Sequence, residues 1–191
     1  MTLSSAAVLV LLAAAAHAVA APPSSPSPPS WTVSADLQVT ALVPGVWMHT
    51  SWHTWNGTRI PSNGLVVRDG TGVLLVDTAW GEAPTDALVD WVERELRLRV
   101  TRAVVTHAHD DRLGGGAALA RRKIPFLGHA GTVAAASVRR VLAPATLGPM
   151  APGASARMGP VDVFFPGAAH TPDNVVVWVR GSRILFGGCA V

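Results

Sequence analysis

The sequence predicts a single domain of the α/β class, and three segments support this prediction. Residues 73–76 are a continuous apolar run, and residues 102–105 are apolar after Arg102; both are typical of buried strands. Between them, apolar residues from Leu88 to Leu96 recur at helical spacing, with charged residues in the gaps. A strand, a helix and a second strand in succession are the start of an α/β domain.

The remaining elements follow from the same patterns along the chain. Two short strands at 37–47 and 64–68 precede the first apolar run, and Pro84 suits the first turn of the helix. The glycines from Gly114 to Gly116 open the next element. The predicted elements from there onward are a helix to about residue 122, a strand at 124–127, a helix at 132–142, a loop at 143–159 and strands at 161–165, 175–179 and 183–186.

The composition excludes disordered and fibrous classes, because 49% of the 191 residues are hydrophobic and only 14% are charged. Near the N-terminus, the apolar run at 6–16 is shorter than the roughly 20 residues that span a bilayer. Small residues follow it, which predicts a cleaved signal peptide at 1–21. The alternative is an uncleaved N-terminal anchor, because the first 16 residues contain no Lys or Arg.

The segment after the signal peptide contains only proline and serine, from residue 22 to residue 30. This composition predicts a solvated linker, which leaves residues 31–191 as the folded domain. We expect no stable membrane association once the signal peptide is removed.

The net charge of +3 raises the possibility of a nucleic-acid partner. However, the basic residues are scattered and form no stripe with interleaved aromatic residues, so we predict none. The chain contains one cysteine, Cys189, and therefore no intramolecular disulfide. In an exported protein an unpaired thiol is either a buried small apolar group or a reactive or metal-binding group.

Two histidines, His107 and His109, follow a buried strand and are separated by one residue. In an extended chain such residues point in the same direction, and Asp111 lies two residues further on. The spacing His-x-His-x-Asp is typical of zinc ligands, although a surface histidine pair also occurs by chance. His170 and Cys189 lie at the ends of later predicted strands, where they could join the same cluster.

Three motifs together resemble the metallo-β-lactamases, in particular the di-zinc subclass with a three-histidine site and an Asp-Cys-His site. They are Thr-His-Ala-His-Asp-Asp-Arg at 106–112, Pro-Gly-Ala-Ala-His-Thr-Pro-Asp-Asn at 166–174 and Gly-Gly-Cys at 187–189. The segments at 61–70 and 75–81 are most similar to the Verona integron-encoded branch. The resemblance covers residues 39–191 and implies an αβ/βα sandwich, a periplasmic location and a monomer.

By this resemblance, five side chains hold two zinc ions. His107, His109 and His170 would bind the first, and Asp111 and Cys189 the second. Three further residues, Arg112, Ser62 and Asp77, would orient these ligands, although Asp77 could equally be a turn residue at a strand end. Residues 50–60 would form a mobile hairpin whose Trp52 and Trp55 contact the substrate, with core packing as the alternative for both.

The resemblance implies zinc-dependent hydrolysis of the β-lactam amide bond, and hence antibiotic resistance. A zinc-bound hydroxide, held toward the catalytic Asp111, would attack the lactam carbonyl. Other zinc hydrolases of the superfamily, acting on thioesters or lactones, are the alternative. They usually carry His and Asp where this chain has Arg112 and Cys189.

The sequence departs from the family after Cys189. The last histidine ligand of the second zinc, the lysine that pairs with the substrate carboxylate and an asparagine near the lactam carbonyl have no counterpart before Val191. We therefore expect the second half of the sandwich to be incomplete. A truncated, inactive zinc-binding fragment is the further alternative.

Overall fold

The computed structural model describes residues 27–190. The predicted signal peptide and residues 22–26 of the predicted linker lie outside this range. Residues 27–29 carry no regular structure, and Ser30 is already the first residue of a strand. Within the described residues, no helix is both long and apolar enough to cross a membrane.

Residues 27–190 form twelve strands and four helices, in the predicted α/β class. The strands are β1 (Ser30–Ser34), β2 (Leu37–Val43), β3 (Val46–Trp55), β4 (Thr58–Asp69), β5 (Gly72–Val76), β6 (Arg99–Val105), β7 (Phe126–Gly128), β8 (Ala145–Thr146), β9 (Ser155–Met158), β10 (Val161–Phe164), β11 (Val176–Val179) and β12 (Ile184–Phe186). The helices are α1 (Glu82–Trp91), α2 (Asp110–Leu113), α3 (Gly116–Arg121) and α4 (Ala130–Val138), and a π-helical turn at Val92–Leu96 continues α1.

Two sheets contain these strands. The first has eight strands in sequence order, antiparallel from β1 to β5 and parallel from β5 to β8. The second is an antiparallel sheet in the order β12, β11, β10, β9. The parallel strands need crossover connections, and α1 and α3 provide two of them.

The first sheet has a hydrophobic core on each face. Along β5, Val73 and Leu75 pack with residues of all four helices, whereas Leu74 and Val76 pack with the second sheet. Because side chains alternate along a strand, the four consecutive apolar residues of β5 serve both cores. The layers are therefore helices, first sheet and second sheet.

These three layers, helices, first sheet and second sheet, correspond to the first three layers of the predicted αβ/βα sandwich. Within residues 27–190, the outer face of the second sheet has no helix packed against it. Its apolar side chains Phe164, Trp178 and Leu185 are 38%, 39% and 57% exposed.

Several predicted boundaries are wrong. The single strand at 37–47 is two strands, because the chain turns at Gly45 with a φ of 82°. The strand at 64–68 begins at Thr58, since Asn56 and Gly57 form a tight turn with positive φ angles of 47° and 78°. The predicted loop at 143–159 contains β8 and β9, and α4 ends at Val138 rather than at residue 142.

Candidate metal centre

The candidate ligands meet at one edge of both sheets. His107 and His109 follow the carboxyl end of β6, and Asp110 begins the short helix α2. His170 lies between β10 and β11, and Cys189 follows β12. The backbone N–H of Val175 donates to the carbonyl of Thr106 at 2.9 Å, which joins the second sheet to the end of β6.

Three histidines form the first group of ligands. The ring centroid of His107 lies 4.7 Å from that of His109 and 5.0 Å from that of His170. One nitrogen from each ring lies within 4.8 Å of the others. The Nε2 of His107 is buried and has no hydrogen-bond partner among the described residues. Burial lowers the pKa of His107 to about 4, so its ring is neutral at pH 7, the form that binds metals.

A second group shares His107 and adds Asp111 and Cys189, again with ligand atoms within 4.8 Å of one another. The Cys189 Sγ lies 3.5 Å from the Oδ2 of Asp111. Burial raises the pKa of the Cys189 thiol, and Arg112 acts in the opposite direction. Cys189 therefore has features of both predicted roles, that of a buried apolar group and that of a metal-binding group. It is half-buried and also lies among metal-binding side chains.

Arg112 links the second group to the first sheet. Its Nε lies 3.0 Å from the Asp111 carboxylate, and its Nη2 donates to the Cys189 Sγ at 3.2 Å. Its Nη1 donates to the carbonyl of Asn63 and lies 3.5 Å from the Oδ2 of Asp77. The guanidinium is nearly buried and therefore holds three anionic or polarisable groups in fixed positions.

Ser62 and Asp77 also contact the residues that carry the ligands. The Ser62 Oγ donates to the Asp111 carbonyl at 3.0 Å. Asp77 adopts a φ of 64° directly after β5, and its carboxylate accepts hydrogen bonds from the N–H and the hydroxyl of Thr106. Asp77 is therefore both a turn residue at a strand end and a contact of the segment that carries His107.

Sequence reasoning gave no role to Asp173. This buried carboxylate accepts a hydrogen bond at 3.1 Å from the N–H of Ala108, the residue between His107 and His109. It therefore fixes the backbone that presents both histidines. The only signal in the sequence is its position three residues after His170.

A cavity of about 470 Å³ opens beside the ligands. His109, His170, Asp111 and Cys189 form its polar part, and Trp55, Ile60 and Trp80 form its apolar part, with Asp110 and Arg139 completing the lining. The hairpin of β3 and β4 supplies Trp55, which is 62% exposed.

Comparisons with known proteins agree with this arrangement. The family model described as Metallo-beta-lactamase superfamily matches residues 57–152, half of the chain. This chain belongs to the metallo-beta-lactamase superfamily. The solved metallo-beta-lactamase of Hirschia baltica is 31% identical, with a TM-score of 0.77 over 80% of this chain and 70% of that one.

Curated relatives in this superfamily are longer than the present chain. A metallo-beta-lactamase type 2 from Bacillus sp. (strain 170) is 38% identical over 157 residues, which are 81% of this chain and 60% of that protein. The enzyme of the same description from Bacillus cereus is 36% identical over the same shares. The chain thus spans about 60% of the length of these relatives. A solved structure from Pseudomonas aeruginosa, described as a mono-zinc form, is 36% identical with a TM-score of 0.72, over 78% of this chain and 66% of that one.

For this metallo-beta-lactamase family member, the structure separates the two tryptophans predicted to contact substrate. Trp55 lines the cavity, but Trp52 does not. The two side chains lie on opposite faces of β3. The guanidinium carbon of Arg59 lies 4.6 Å from the centroid of the Trp52 ring, so these two side chains pack together. This position favours a packing role for Trp52.

His49 is a buried histidine outside both ligand groups of this family member. Burial lowers its pKa to about 4, with a smaller contribution from Arg112. An unfolded chain takes up a proton at His49 below pH 6.5, but the folded chain takes it up only near pH 4. His49 therefore contributes stability above pH 6.5 that is lost as the pH falls toward 4.

We expect this group to lower the free energy of unfolding by up to about 3 kcal/mol between pH 6.5 and 4. Burial raises the pKa of Asp77 to about 7, which opposes this slope over the same range. Denaturant unfolding of the wild type and of His49→Gln is measured at several pH values. The contribution of His49 is the difference between the two proteins in the slope of the free energy of unfolding against pH. Identical slopes in the two proteins would contradict this role of His49.

Proposed function

We propose that this chain carries the zinc-binding and substrate-contacting part of a β-lactam hydrolase. The observation that carries the proposal is the meeting of two imidazoles, one carboxylate and one thiol around the buried ring of His107. Imidazole nitrogen and thiolate sulfur are preferred zinc ligands, and the unpaired Nε2 of His107 lacks any other partner among the described residues.

His107, His109 and His170 would hold one zinc ion. Asp111 and Cys189 would hold a second ion, beside the first. Within the described residues, His49, His53 and His129 belong to neither group. Zinc bound at such a site polarises a carbonyl and lowers the pKa of a coordinated water to about 7.

The residues around the ligands have defined tasks in this proposal. Arg112 would stabilise the anionic forms of Asp111 and Cys189 when both bind zinc, because its guanidinium contacts both side chains. Ser62 donates a hydrogen bond to the carbonyl of Asp111, and Asp173 accepts one from the N–H of Ala108, so both hold the backbone that carries the ligands. Asp111 is placed to accept a proton from a polar group in the cavity, because its carboxylate lies at the cavity wall.

Trp55, Ile60 and Trp80 would pack against the apolar part of the substrate. A bicyclic β-lactam is a small, partly apolar molecule with a polar amide, and the cavity offers matching apolar and polar walls. Arg112 and Cys189 distinguish the site from thioester and lactone hydrolases of the superfamily, and therefore favour the lactam.

The finer assignments extend from the family resemblance. We propose membership of the Verona integron-encoded branch, supported by the segments at 61–70 and 75–81. We also propose export to the periplasm and a role in antibiotic resistance, supported by the apolar N-terminal segment and by the curated names of the relatives. A monomeric state stays a prediction.

The test is hydrolysis of benzylpenicillin by the purified chain with measured zinc content. We expect turnover that an added chelator abolishes and that zinc restores. A thioester and a lactone serve as competing substrates. Turnover that survives removal of zinc, or faster turnover of the thioester or lactone, would refute the proposal.

A further inference from the structure

The hairpin of β3 and β4 extends beyond the rest of the first sheet. The pairing of β2 with β3 begins at Leu37 and Ser51. Just beyond this pair, the N–H of Trp52 donates to the carbonyl of Asp36 at 3.1 Å. Among the described residues, 53–60 form strand pairs only with each other. Side-chain contacts therefore decide how this end of the hairpin lies against the rest of the domain.

The two faces of the extended hairpin carry different side chains. Trp55 and Ile60 line the cavity and share one face, since Trp55 pairs with Thr58 and side chains alternate along β4. Trp52 and Arg59 have the opposite parity on their strands and therefore lie on the other face. The hairpin thus presents one face to the cavity and the other to the turn between β1 and β2, at residues 35–36.

Arg59 joins the second face of the hairpin to this turn. Its Nη2 donates to the carbonyl of Ala35 and lies 3.2 Å from the Oδ1 of Asp36. Its guanidinium carbon also lies over the ring of Trp52, 4.6 Å from the centroid. A planar guanidinium can stack on an aromatic ring and donate hydrogen bonds at its edge at the same time. One side chain therefore makes three contacts at the point where the hairpin leaves the sheet.

The ion pair between Arg59 and Asp36 is weak on its own. The two side chains are 49% and 58% exposed, so water screens both charges. The stacking on Trp52 and the hydrogen bond to Ala35 add to it. Because all three contacts lie at the surface, loss of Arg59 should release the hairpin and leave the core of the domain intact.

We propose that Arg59 is a positioning residue, which fixes Trp55 and Ile60 over the cavity by holding the opposite face of the hairpin to the β1–β2 turn. This inference rests on the proposed function, in which Trp55 and Ile60 contact the apolar part of the substrate. Arg59 does not line the cavity, and within the described residues it contacts no proposed zinc ligand. It therefore acts on substrate binding through the hairpin and leaves the metal centre unchanged.

The test compares benzylpenicillin with 6-aminopenicillanic acid, which has the same fused rings but a free amine in place of the apolar side chain. For Arg59→Ala in the zinc-loaded chain we expect KM for benzylpenicillin to rise about fivefold, with kcat and zinc content little changed. The KM for 6-aminopenicillanic acid should change much less, because it offers no apolar group to the hairpin. Arg59→Lys should fall between wild type and Arg59→Ala, because an ammonium keeps the charge but cannot stack and donate as a planar group.

Arg94→Ala is the matched control. Arg94 is also exposed and also pairs with a neighbouring carboxylate, that of Glu95 at 2.9 Å, but it lies in the π-helical turn after α1. A second comparison introduces Arg59→Ala into a Trp55→Ala background. There the rise in KM caused by Arg59→Ala should be smaller than in the wild type, because the side chain through which Arg59 acts is already absent.

Amide hydrogen exchange of residues 53–60 gives a readout that does not depend on hydrolysis. We expect exchange to become about fivefold faster in Arg59→Ala and to stay unchanged in Arg94→Ala. Equal rises in KM for the two compounds, equal rises in Arg59→Ala and Arg94→Ala, or an undiminished rise in the Trp55→Ala background would overturn the inference.

The failure of the proposed function would be recognised separately. If the zinc-loaded wild type hydrolyses neither compound, the proposed function fails, and Kd values of the intact compounds replace KM in the same comparison. Faster exchange together with a rise in Kd specific to benzylpenicillin would still support the role of Arg59. Unchanged exchange or an unchanged Kd in Arg59→Ala would reject it.

Discussion

Replacing His107 by alanine is expected to lower the proposed β-lactam hydrolysis by more than about 100-fold, the upper end of the losses caused by residues that only orient ligands. His107 is the one side chain that belongs to both ligand groups. Its ring is fully buried, and its Nε2 has no other partner among the described residues. Its removal therefore takes one of the three imidazole ligands from the first proposed zinc ion and also alters the wall beside Asp111 and Cys189, and zinc content should fall in parallel.

His53→Gln is the control for this variant. It removes an exposed imidazole that lies near the cavity but in neither ligand group. Zinc content and turnover are compared for the two variants at equal folded protein, judged by circular dichroism. Unchanged zinc content in His107→Ala would contradict the site as described.

Replacing Gly64 by alanine is expected to lower the free energy of unfolding by more than about 4 kcal/mol, a loss reached only when the buried structure cannot adjust. A Cβ at this position would overlap the buried ring of His49 and would lie 2.5 Å from the carbonyl oxygen of Val76. Gly64 pairs with His49 across β3 and β4, and the Val76 carbonyl belongs to the neighbouring strand. The carbonyl cannot move without disturbing the first sheet.

Gly57→Ala provides the comparison, because nothing lies within 4 Å of the Cβ that it would add. Its cost should be limited to the backbone strain of a φ of 78°. Denaturant unfolding measures both variants. Combining Gly64→Ala with His49→Ala should recover only part of the loss, since the overlap with Val76 remains; a wild-type stability for Gly64→Ala alone would disprove the close packing.

The central strands and the first helix could be predicted because their patterns are local. The apolar run that forms β5 and the helical spacing within α1 are visible in short windows of sequence. β1 was missed because only its partners make it a strand: it pairs with β2, and Trp31 packs on Trp91 of α1 with ring centroids 5.4 Å apart. β8 has two residues and exists through its pairing with β7.

The candidate ligands were predicted from three short motifs, and the structure brings all five together. The contacts that hold them could not be derived in this way, because they join distant parts of the chain. The Ser62 hydroxyl and Asp111 are 49 residues apart, and Arg112 and Cys189 are 77 apart. The pairing register of β3 and β4 also decides that Trp55, and not Trp52, faces the cavity.

The most direct test of the proposed zinc centre is the absorption spectrum of the chain loaded with Co²⁺ in place of zinc. The absorption spectrum of bound Co²⁺ depends on which side chains are its ligands, and a bound thiolate adds a charge-transfer band in the near ultraviolet. We predict this band for the wild type, its loss in Cys189→Ser with cobalt still bound at the three histidines, and loss of bound cobalt in His107→Ala. Cobalt binding without a thiolate band, or a spectrum unchanged in both variants, would contradict the assignment of these residues as metal ligands.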